Sequence, residues 1–232
     1  MPVKERAGRG AGPAAERVTP TRTQEQRRAQ TQARLLEATA ECLAELGWAG
    51  TTTIEVARRA GVSRGAQQHH YPTKTELVAA AIDHLLDRQR AEYEQAFARL
   101  PDGARTADEA LDLLWSIFRG PSFAAVLELI VAARTDQTLR PLCASINERV
   151  VGLTVGTFNR IFPEAAAREV MPVILRALLA MFTGMALIRG VDGDPDRHCD
   201  EVLEFVKVLG RPFVPEPALY QTQPRDAPAC PD

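Results

Sequence analysis

The chain has 232 residues, of which 45% are hydrophobic and 6% aromatic, and its formal net charge is −2. This length suits one compact domain or two small ones, with a core built mainly from aliphatic side chains. Four scattered cysteines without metal-ligand spacing predict reduced thiols in a cytoplasmic protein. The chain opens without the apolar run of a signal peptide, and no stretch reaches the ~18 uninterrupted apolar residues of a membrane span. These features argue against secreted and membrane proteins.

The charge is distributed unevenly along the chain. Residues 1–34 carry eight basic and three acidic side chains, a charge of +5, which leaves −7 for the remainder. A basic end on an acidic body is typical of contact with a polyanion, although a solubilising tail would look the same. Residues 1–25 are predicted to be a disordered basic arm, and residues 211–232, with six prolines, a disordered tail.

Between these ends, the apolar residues recur at the spacing typical of helices, and no segment shows the sustained alternation of a strand. We therefore predict an all-α fold of about nine helices. The first runs from about Gln26 to Leu46 and ends at Gly47, a residue type that favours helix C-termini. The others are predicted after Thr52, Ser63 and Thr73 and over 106–119, 122–135, 139–162, 166–190 and 196–209.

Residues 53–70 have the pattern of a helix-turn-helix. Two short helices that cross steeply need a small residue at their contact, which Ala57 supplies, and a turn residue that tolerates positive φ, which Gly61 supplies. Val62 offers an apolar anchor after the turn, and Ser63 is a natural N-cap for the second helix. An ordinary helical hairpin could share this pattern. However, the polar residues that follow Ser63 favour a helix that reads bases, because Arg suits guanine edges and Gln suits adenine edges.

The stretch from Gly47 to Leu77 resembles the DNA-binding domain of the TetR/AcrR (tetracycline-repressor) family of transcription regulators. The resemblance rests on Thr52-Thr53, Val56-Ala57, Ala60-Gly61-Val62-Ser63, Gly65, His70-Tyr71-Pro72, Lys74 and Glu76-Leu77. It implies a DNA-binding domain over 26–74 and a helical regulatory and dimerisation domain over 75–210.

The resemblance also implies which residues contact double-stranded operator DNA. Thr53 would hold a phosphate at a helix N-terminus, Lys74 would hold another, and Tyr71 would pack the recognition helix onto the fourth helix. Gln67 and Gln68 depart from the family pattern, which usually has an apolar residue and a tyrosine there. A buried Gln67 would need hydrogen-bond partners, or it could turn outward to the DNA. The predicted DNA contacts are Thr52, Thr53, Ser63, Arg64, Gly65, Ala66, Gln68, His69, Tyr71 and Lys74.

The predicted helix 166–190 is apolar on nearly all sides, since Arg176 is the single charged residue between Val170 and Ile188. Such a helix is buried on both sides, by its own core and by a second subunit, although a central helix of a monomer would fit too. The family resemblance implies a homodimer built on this helix and the next. The predicted dimerisation residues are Leu178, Met181, Phe182, Met185, Val202, Phe205 and Val206.

The resemblance further implies a cavity for a small-molecule effector in the C-terminal half. The aromatic content there favours an apolar or aromatic effector. Arg134 and Asn147 are the preferred candidates because they are polar residues on largely apolar helices, although a surface position would explain them equally well. The full set of predicted lining residues, most of them also compatible with plain core, is Trp115, Phe118, Phe123, Leu127, Ile130, Arg134, Asn147, Thr154, Phe158 and Met181.

These observations together predict a DNA-binding regulator, usually a repressor in this family, with activation left open. The alternatives are an all-helical enzyme and a protein-interaction module without DNA binding. The sequence contains no phosphate-binding loop, GxSxG or HExxH motif, and no cofactor or metal is predicted. His198-Cys199-Asp200 fits a helix start better than a metal or catalytic cluster. The basic arm either follows the minor groove or remains a solvated tail.

Overall fold

The computed structural model describes residues 24–214, and within this range the fold is all-α, as predicted. The basic arm and most of the proline-rich tail lie outside the described residues. Ten α-helices occur in this range, one more than expected, because a short helix precedes the long apolar one. They are α1 (Gln24–Gly50), α2 (Thr53–Ala60), α3 (Arg64–His70), α4 (Lys74–Arg99), α5 (Ala107–Phe118), α6 (Pro121–Ala133), α7 (Arg140–Ile161), α8 (Pro163–Ala166), α9 (Met171–Arg189) and α10 (Pro195–Gly210).

Gly47 divides α1 into a long helix and a short last turn. Its φ of 67° is positive, as is usual for a glycine that ends a helix, and its backbone is not helical. The amide of Thr51 donates to the carbonyl of Gly47 at 3.1 Å, which closes the further turn to Gly50. The long helix therefore ends at Gly47, as predicted, and the turn that follows it was not predicted.

The helices begin in two different ways. In α2 to α5 a threonine or serine side chain accepts a hydrogen bond from a backbone amide of the first turn. At α4 this becomes a full capping box, because Glu76 also reaches back to the amide of Thr73 at 3.1 Å. Helices α6 to α10 have no such side-chain cap, and each has a proline in its first two positions.

Two main apolar cores lie along the molecule, and α1 and α4 contribute to both. The N-terminal core joins α1, α2 and the start of α4 through Leu35, Leu36, Ala38, Cys42, Val56, Ala60, Tyr71, Leu77 and Ala81. The C-terminal core centres on stacked aromatic rings, with Phe182 5.4 Å from Trp115 and 5.5 Å from Phe118 between ring centroids. Since Leu43 and Val78 belong to this second core, α1 and α4 physically couple the two halves.

Helix α9 is long and apolar enough to cross a membrane by length and composition alone, although Arg176 interrupts its apolar run. Only 28% of its most apolar window is buried within the chain. Leu175, Leu179 and Phe182 face the core, whereas Val173 and Ile188 are exposed. A large apolar surface of α9 is thus uncovered in the single chain.

Candidate nucleic-acid interface

The N-terminus of α2 is an exposed, capped helix start. The Thr52 hydroxyl accepts a hydrogen bond from the amide of Glu55 at 3.1 Å. Thr52 is exposed and Thr53 half-buried, so backbone amides and hydroxyls are available there to an anion. Ile54 is 60% exposed beside them, an apolar residue that the sequence analysis did not single out.

The turn between α2 and α3 is fixed from within and from α1. Gly61 adopts φ 62° and ψ 40°, as predicted, and the amide of Val62 donates to the carbonyl of Ala57 at 3.0 Å. The Arg34 guanidinium donates to the carbonyl of Ala60 at 2.8 Å and to that of Gly61 at 2.6 Å. Arg34 therefore satisfies carbonyls at the end of α2 that have no partner within the helix. In the sequence it counted only toward the +5 charge of residues 1–34.

Helix α3 presents a polar face because one residue, Gln67, anchors its other side. Gln67 is 2% exposed, and its Nε2 donates to the carbonyl of Tyr71 at 2.8 Å. This supports the buried alternative for Gln67 over the outward-facing one. Arg64, Gln68 and His69 are exposed as a consequence. The amide of Ala66 donates to the Ser63 hydroxyl at 3.1 Å, which fixes the start of the helix.

Tyr71 supports α3 from below, which corrects its place among the predicted DNA contacts. It is 9% exposed within the N-terminal core, beside Leu77 of α4. Its hydroxyl accepts a hydrogen bond from Nε2 of Gln32 at 3.0 Å, so the phenol is directed at α1. Packing against α4 and α1 leaves the ring little exposed surface to offer DNA.

Lys74 lies at the seam between the two halves. Its ammonium is 3.6 Å from the ring centroid of Trp48 and donates to the carbonyl of the same residue. Burial lowers the pKa of Lys74, and the negative charge of Asp136 opposes that shift. Hydrogen bonds from Thr138, helped by one from Trp48 and by the charge of Lys74, lower the pKa of Asp136. Because an ammonium has three donors, Lys74 can contact a phosphate with those that it does not give to Trp48.

Arg64 is the basic residue of this surface that is best placed to contact a ligand. Arg58 is bound to Glu55 at 2.6 Å and Arg59 to Glu45 at 2.7 Å. Arg64 is exposed and has no ion pair among the described residues. Burial lowers the pKa of His70, and the nearby positive charges of Arg28 and His69 lower it further.

Residues 35–81 match the family described as bacterial regulatory proteins, tetR family. An HTH-type transcriptional regulator from Mycobacterium tuberculosis is 34% identical over 177 residues, which cover 75% of this chain and 90% of that protein. The chain belongs to the TetR family of bacterial transcriptional regulators.

Solved structures of TetR regulators share the fold. One from Rhodococcus sp. covers 78% of this chain and 98% of its own, with a TM-score of 0.64 and 20% identity. A transcriptional regulator from Saccharomonospora viridis, solved in complex with choline, covers 77% of this chain and 96% of its own, with a TM-score of 0.58 and 14% identity. At these identities the likeness concerns the fold alone.

The C-terminal half of this TetR regulator encloses a cavity of about 380 Å³ between α4, α5, α7, α9 and the end of α10. Five predicted residues line it: Phe118, Phe123, Thr154, Phe158 and Met181. Gln89 and Tyr93 of α4 line it as well, and the sequence analysis missed them because α4 has the pattern of a plain amphipathic helix.

The other predicted lining residues do not face this cavity. Trp115 is 3% exposed and packs in the aromatic core, and Leu127 packs against the same core. Arg134 and Asn147 are exposed on the surface, and Ile130 is 42% exposed. Their polarity therefore marks solvent-facing positions, which corrects the preference given to Arg134 and Asn147.

The predicted dimerisation residues divide in the same way. Phe182 is fully buried, which removes it from a surface interface. Leu178, Met181 and Met185 are partly buried against the C-terminal core. Val206 lines the cavity. Val202 and Phe205 are exposed, by 37% and 61%. Other exposed apolar residues on or next to α9 and α10, which the sequence analysis did not select, are Val173, Leu187, Ile188, Val191 and Val208.

His198-Cys199-Asp200 lies in the first turns of α10. Nδ1 of His198 is 2.8 Å from Oδ2 of Asp192, and Cys199 is buried. Within residues 24–214, no group of three or more His, Cys, Asp or Glu side chains is arranged to hold a metal ion.

Proposed function

We propose that this TetR regulator is a cytoplasmic repressor that binds a pseudo-palindromic operator as a homodimer and is released by a small molecule. Its relatives are transcriptional regulators, and the proposal includes no catalytic activity. The observation that carries it is the exposed polar face of α3, fixed by the Ser63 cap, the buried Gln67 amide and the Arg34 clamp. Residues 26–74 would bind DNA, and residues 75–210 would dimerise and bind the effector.

The exposed polar groups of α3 and of the start of α2 suit particular groups on DNA. The Arg64 guanidinium can bind guanine O6 and N7, and the Gln68 amide can bind adenine N6 and N7 in the major groove. Thr52 and Thr53, at the exposed start of α2, suit a phosphate. Contacts by Ser63, Gly65, Ala66, His69 and Lys74 complete the proposed set.

The test begins by selecting bound sequences from random DNA, where a pseudo-palindromic consensus is expected. Arg64→Ala should then weaken binding to that sequence by about 1–3 kcal/mol in a gel shift, the usual value of a bidentate base contact. Arg88→Ala is the matched control, since Arg88 lies on α4 and pairs with Glu92 at 3.7 Å. Unchanged binding by Arg64→Ala, or a consensus without two-fold symmetry, contradicts the proposal.

The uncovered apolar face of α9 and α10 supports the homodimer. Val173 and Ile188 of α9 are 64% and 59% exposed, and Phe205 of α10 is 61% exposed. Ala177 and Ala180 are exposed on the same side of α9, where small residues allow close helix approach. Two such helices from each subunit would form a four-helix interface, with the recognition helices about 34–36 Å apart or slightly more.

Phe205→Asp tests the interface directly. A carboxylate at the centre of an apolar interface should convert the dimer to a monomer in analytical ultracentrifugation. Val131→Asp is the control, because Val131 is 45% exposed on α6, outside this face. A Phe205→Asp protein that remains dimeric would move the interface elsewhere.

The cavity supports ligand-controlled release. Gln89 and Tyr93 line it from α4, and the same helix starts at the seam beside Trp48. The fold of the S. viridis regulator holds a small molecule, choline. Release requires that the effector bind the conformation that does not fit the operator more tightly than the one that does. In a reporter strain, deletion of the gene should raise transcription from a promoter that carries the selected operator; a fall would indicate an activator.

A further inference from the structure

The cavity wall carries three charged side chains, and each already has a partner of opposite charge. Arg90 is 3.2 Å from Glu94, Asp108 is 3.2 Å from Arg211, and Lys207 is 2.7 Å from Asp112. The remaining wall is almost entirely aliphatic and aromatic. A charged ligand would lose its water here without gaining an unpaired counter-charge.

Arg90 is the one group that could be taken for an anion site, and its surroundings argue against this. The Glu94 carboxylate that holds it also binds Arg160 and lies 3.4 Å from the Thr157 hydroxyl. The Nε of Arg90 has no hydrogen-bond partner, but it is buried from solvent and from the cavity space. An anion at Arg90 would lie beside the Glu94 carboxylate, whose negative charge would repel it.

Two polar side chains of the wall have no partner among the described residues: Gln89, which is buried, and Thr154, which is only half-buried. Gln89 is 8% exposed, and no hydrogen bond to its side chain is found within residues 24–214. Buried amides in folded proteins are nearly always hydrogen-bonded, so an unpaired one beside an empty space is a place for a ligand's polar group. The Tyr93 hydroxyl nearby already donates to the carbonyl of Ala110 at 3.2 Å and retains only acceptor capacity.

Gln89 also fixes which end of a ligand would lie where. Gln89 and Tyr93 border a smaller recess of about 250 Å³ on their other side, lined in part by Glu92, Ser116 and Ser122. A ligand's polar group would therefore lie at Gln89, and its hydrocarbon part would lie against the aliphatic and aromatic side chains of the wall.

We infer that the effector is an uncharged, mainly hydrocarbon molecule with one polar group that hydrogen-bonds to the Gln89 amide. This rests on the proposed function, since it specifies the ligand of the same cavity. A hydroxyl or carbonyl group would suit the amide equally, because Gln89 offers both a donor and an acceptor. A carboxylate would not be accepted.

Three probes with one ring system test the inference on the full chain: naphthalene, 2-naphthol and 2-naphthoate, each titrated by calorimetry. We expect 2-naphthol to bind about two- to tenfold more tightly than naphthalene, the usual net effect of one hydrogen bond. We expect 2-naphthoate to bind at least about tenfold more weakly than 2-naphthol, because its charge is desolvated without a partner.

Gln89→Met removes the amide and keeps the length of the side chain. It should abolish the difference between 2-naphthol and naphthalene and leave naphthalene binding unchanged or tighter. Gln95→Met is the matched control: the same change, on the same helix, at an exposed position that does not line the cavity. It should keep the wild-type preference.

Four results would overturn the inference: tightest binding of 2-naphthoate, equal binding of 2-naphthol and naphthalene, no binding of any probe, or a preference that survives Gln89→Met. The wild-type comparison stands alone if the variant does not fold. Operator release is measured separately with the same probes. If 2-naphthol binds as expected without releasing operator, the proposed release fails and the inferred ligand class stands. If 2-naphthoate alone releases operator, the inferred ligand class fails and the proposed release stands.

Discussion

The two halves of this TetR regulator treat their buried polar groups differently. In the N-terminal half, Gln67 is bonded to the carbonyl of Tyr71, and the phenol of Tyr71 is bonded to Gln32. In the C-terminal half, the buried amide of Gln89 faces a cavity without a partner. The buried glutamine of the N-terminal half thus has its hydrogen-bond partner within the chain, whereas that of the C-terminal half would find one only in a bound ligand.

The helix starts follow nearly the same division, except that α5 in the C-terminal half is also capped by a hydroxyl, that of Thr106. The hydroxyl caps of Thr52, Ser63 and Thr73 bond the first turn to the residue before it, which fixes the direction from which the chain enters. The proline starts of α6 to α10 fix one φ angle and remove one unpaired amide, but they tie the helix to nothing outside it. A base-reading surface needs a fixed geometry, whereas a ligand cavity benefits from helices that can shift.

The largest expected effect comes from the fixed turn. A Cβ at Gly61 would lie 2.8 Å from Nη2 of Arg34, at a φ of +62° that side chains rarely adopt. Gly61→Val should therefore lower the free energy of unfolding by about 1–3 kcal/mol and abolish operator binding. Gly65→Ala is the counterpart in the same motif, where a Cβ meets nothing within 4 Å, and should raise stability by about 1 kcal/mol. Chemical denaturation of both proteins measures this, and equal effects would contradict a uniquely constrained turn.

A second prediction makes the same substitution in both halves. Gln67→Met leaves the carbonyl of Tyr71 without its donor, which should cost about 1–3 kcal/mol of stability. Gln89→Met removes an amide that has no partner in the described structure, so stability should stay the same or rise. Thermal unfolding of the two variants provides the measurement. A loss of stability of similar size in both variants would contradict the difference between the two glutamines.

The smallest expected effect is a pair of opposite pH dependences. Burial, with help from Arg28 and His69, lowers the pKa of His70, so the stability linked to it is full above about pH 6.5 and falls as the pH drops toward the lowered pKa. The hydrogen bond to Asp192, with its charge, raises the pKa of His198. The stability linked to His198 is therefore full below about pH 6.5 and is lost as the pH rises through the raised pKa.

His70→Gln and His198→Gln, each unfolded thermally between about pH 5.5 and pH 8, measure these dependences. The advantage of the wild-type protein over His70→Gln should grow with pH, and its advantage over His198→Gln should shrink with pH. Slopes of the same sign would contradict the assignment.

The sequence predicted the features that depend on neighbours within a few residues. The caps at Thr52, Ser63 and Thr73 and the left-handed Gly61 are of this kind, because each is set by the local chain. The clamp of Arg34 on Ala60 spans 26 positions, and no local pattern marks it. Long-range partners depend on how helices pack, which a single sequence does not show.

The face of an apolar helix was equally hard to predict. Periodicity identified α9 as apolar on all sides but could not tell which side meets its own core. Phe182 was therefore placed at a dimer interface although it is fully buried beside Trp115, and Val173 and Ile188 were overlooked although they are exposed. The prediction that Arg134 and Asn147 line the cavity was wrong because a polar residue on a largely apolar helix marks the side that faces solvent.

The Arg34 clamp sets the limits of any exchange of DNA-binding segments between relatives. A transplanted segment that starts at Leu35 leaves Gln32 and Arg34 behind, and with them the support of Tyr71 and the carbonyl partners at the end of α2. At the other end, Lys74 and Trp48 arrive beside Asp136, which belongs to the recipient. A working chimaera must therefore carry all of α1, and its recipient must have a carboxylate at the position of Asp136. The segment that can be exchanged is thus longer than the helix-turn-helix motif.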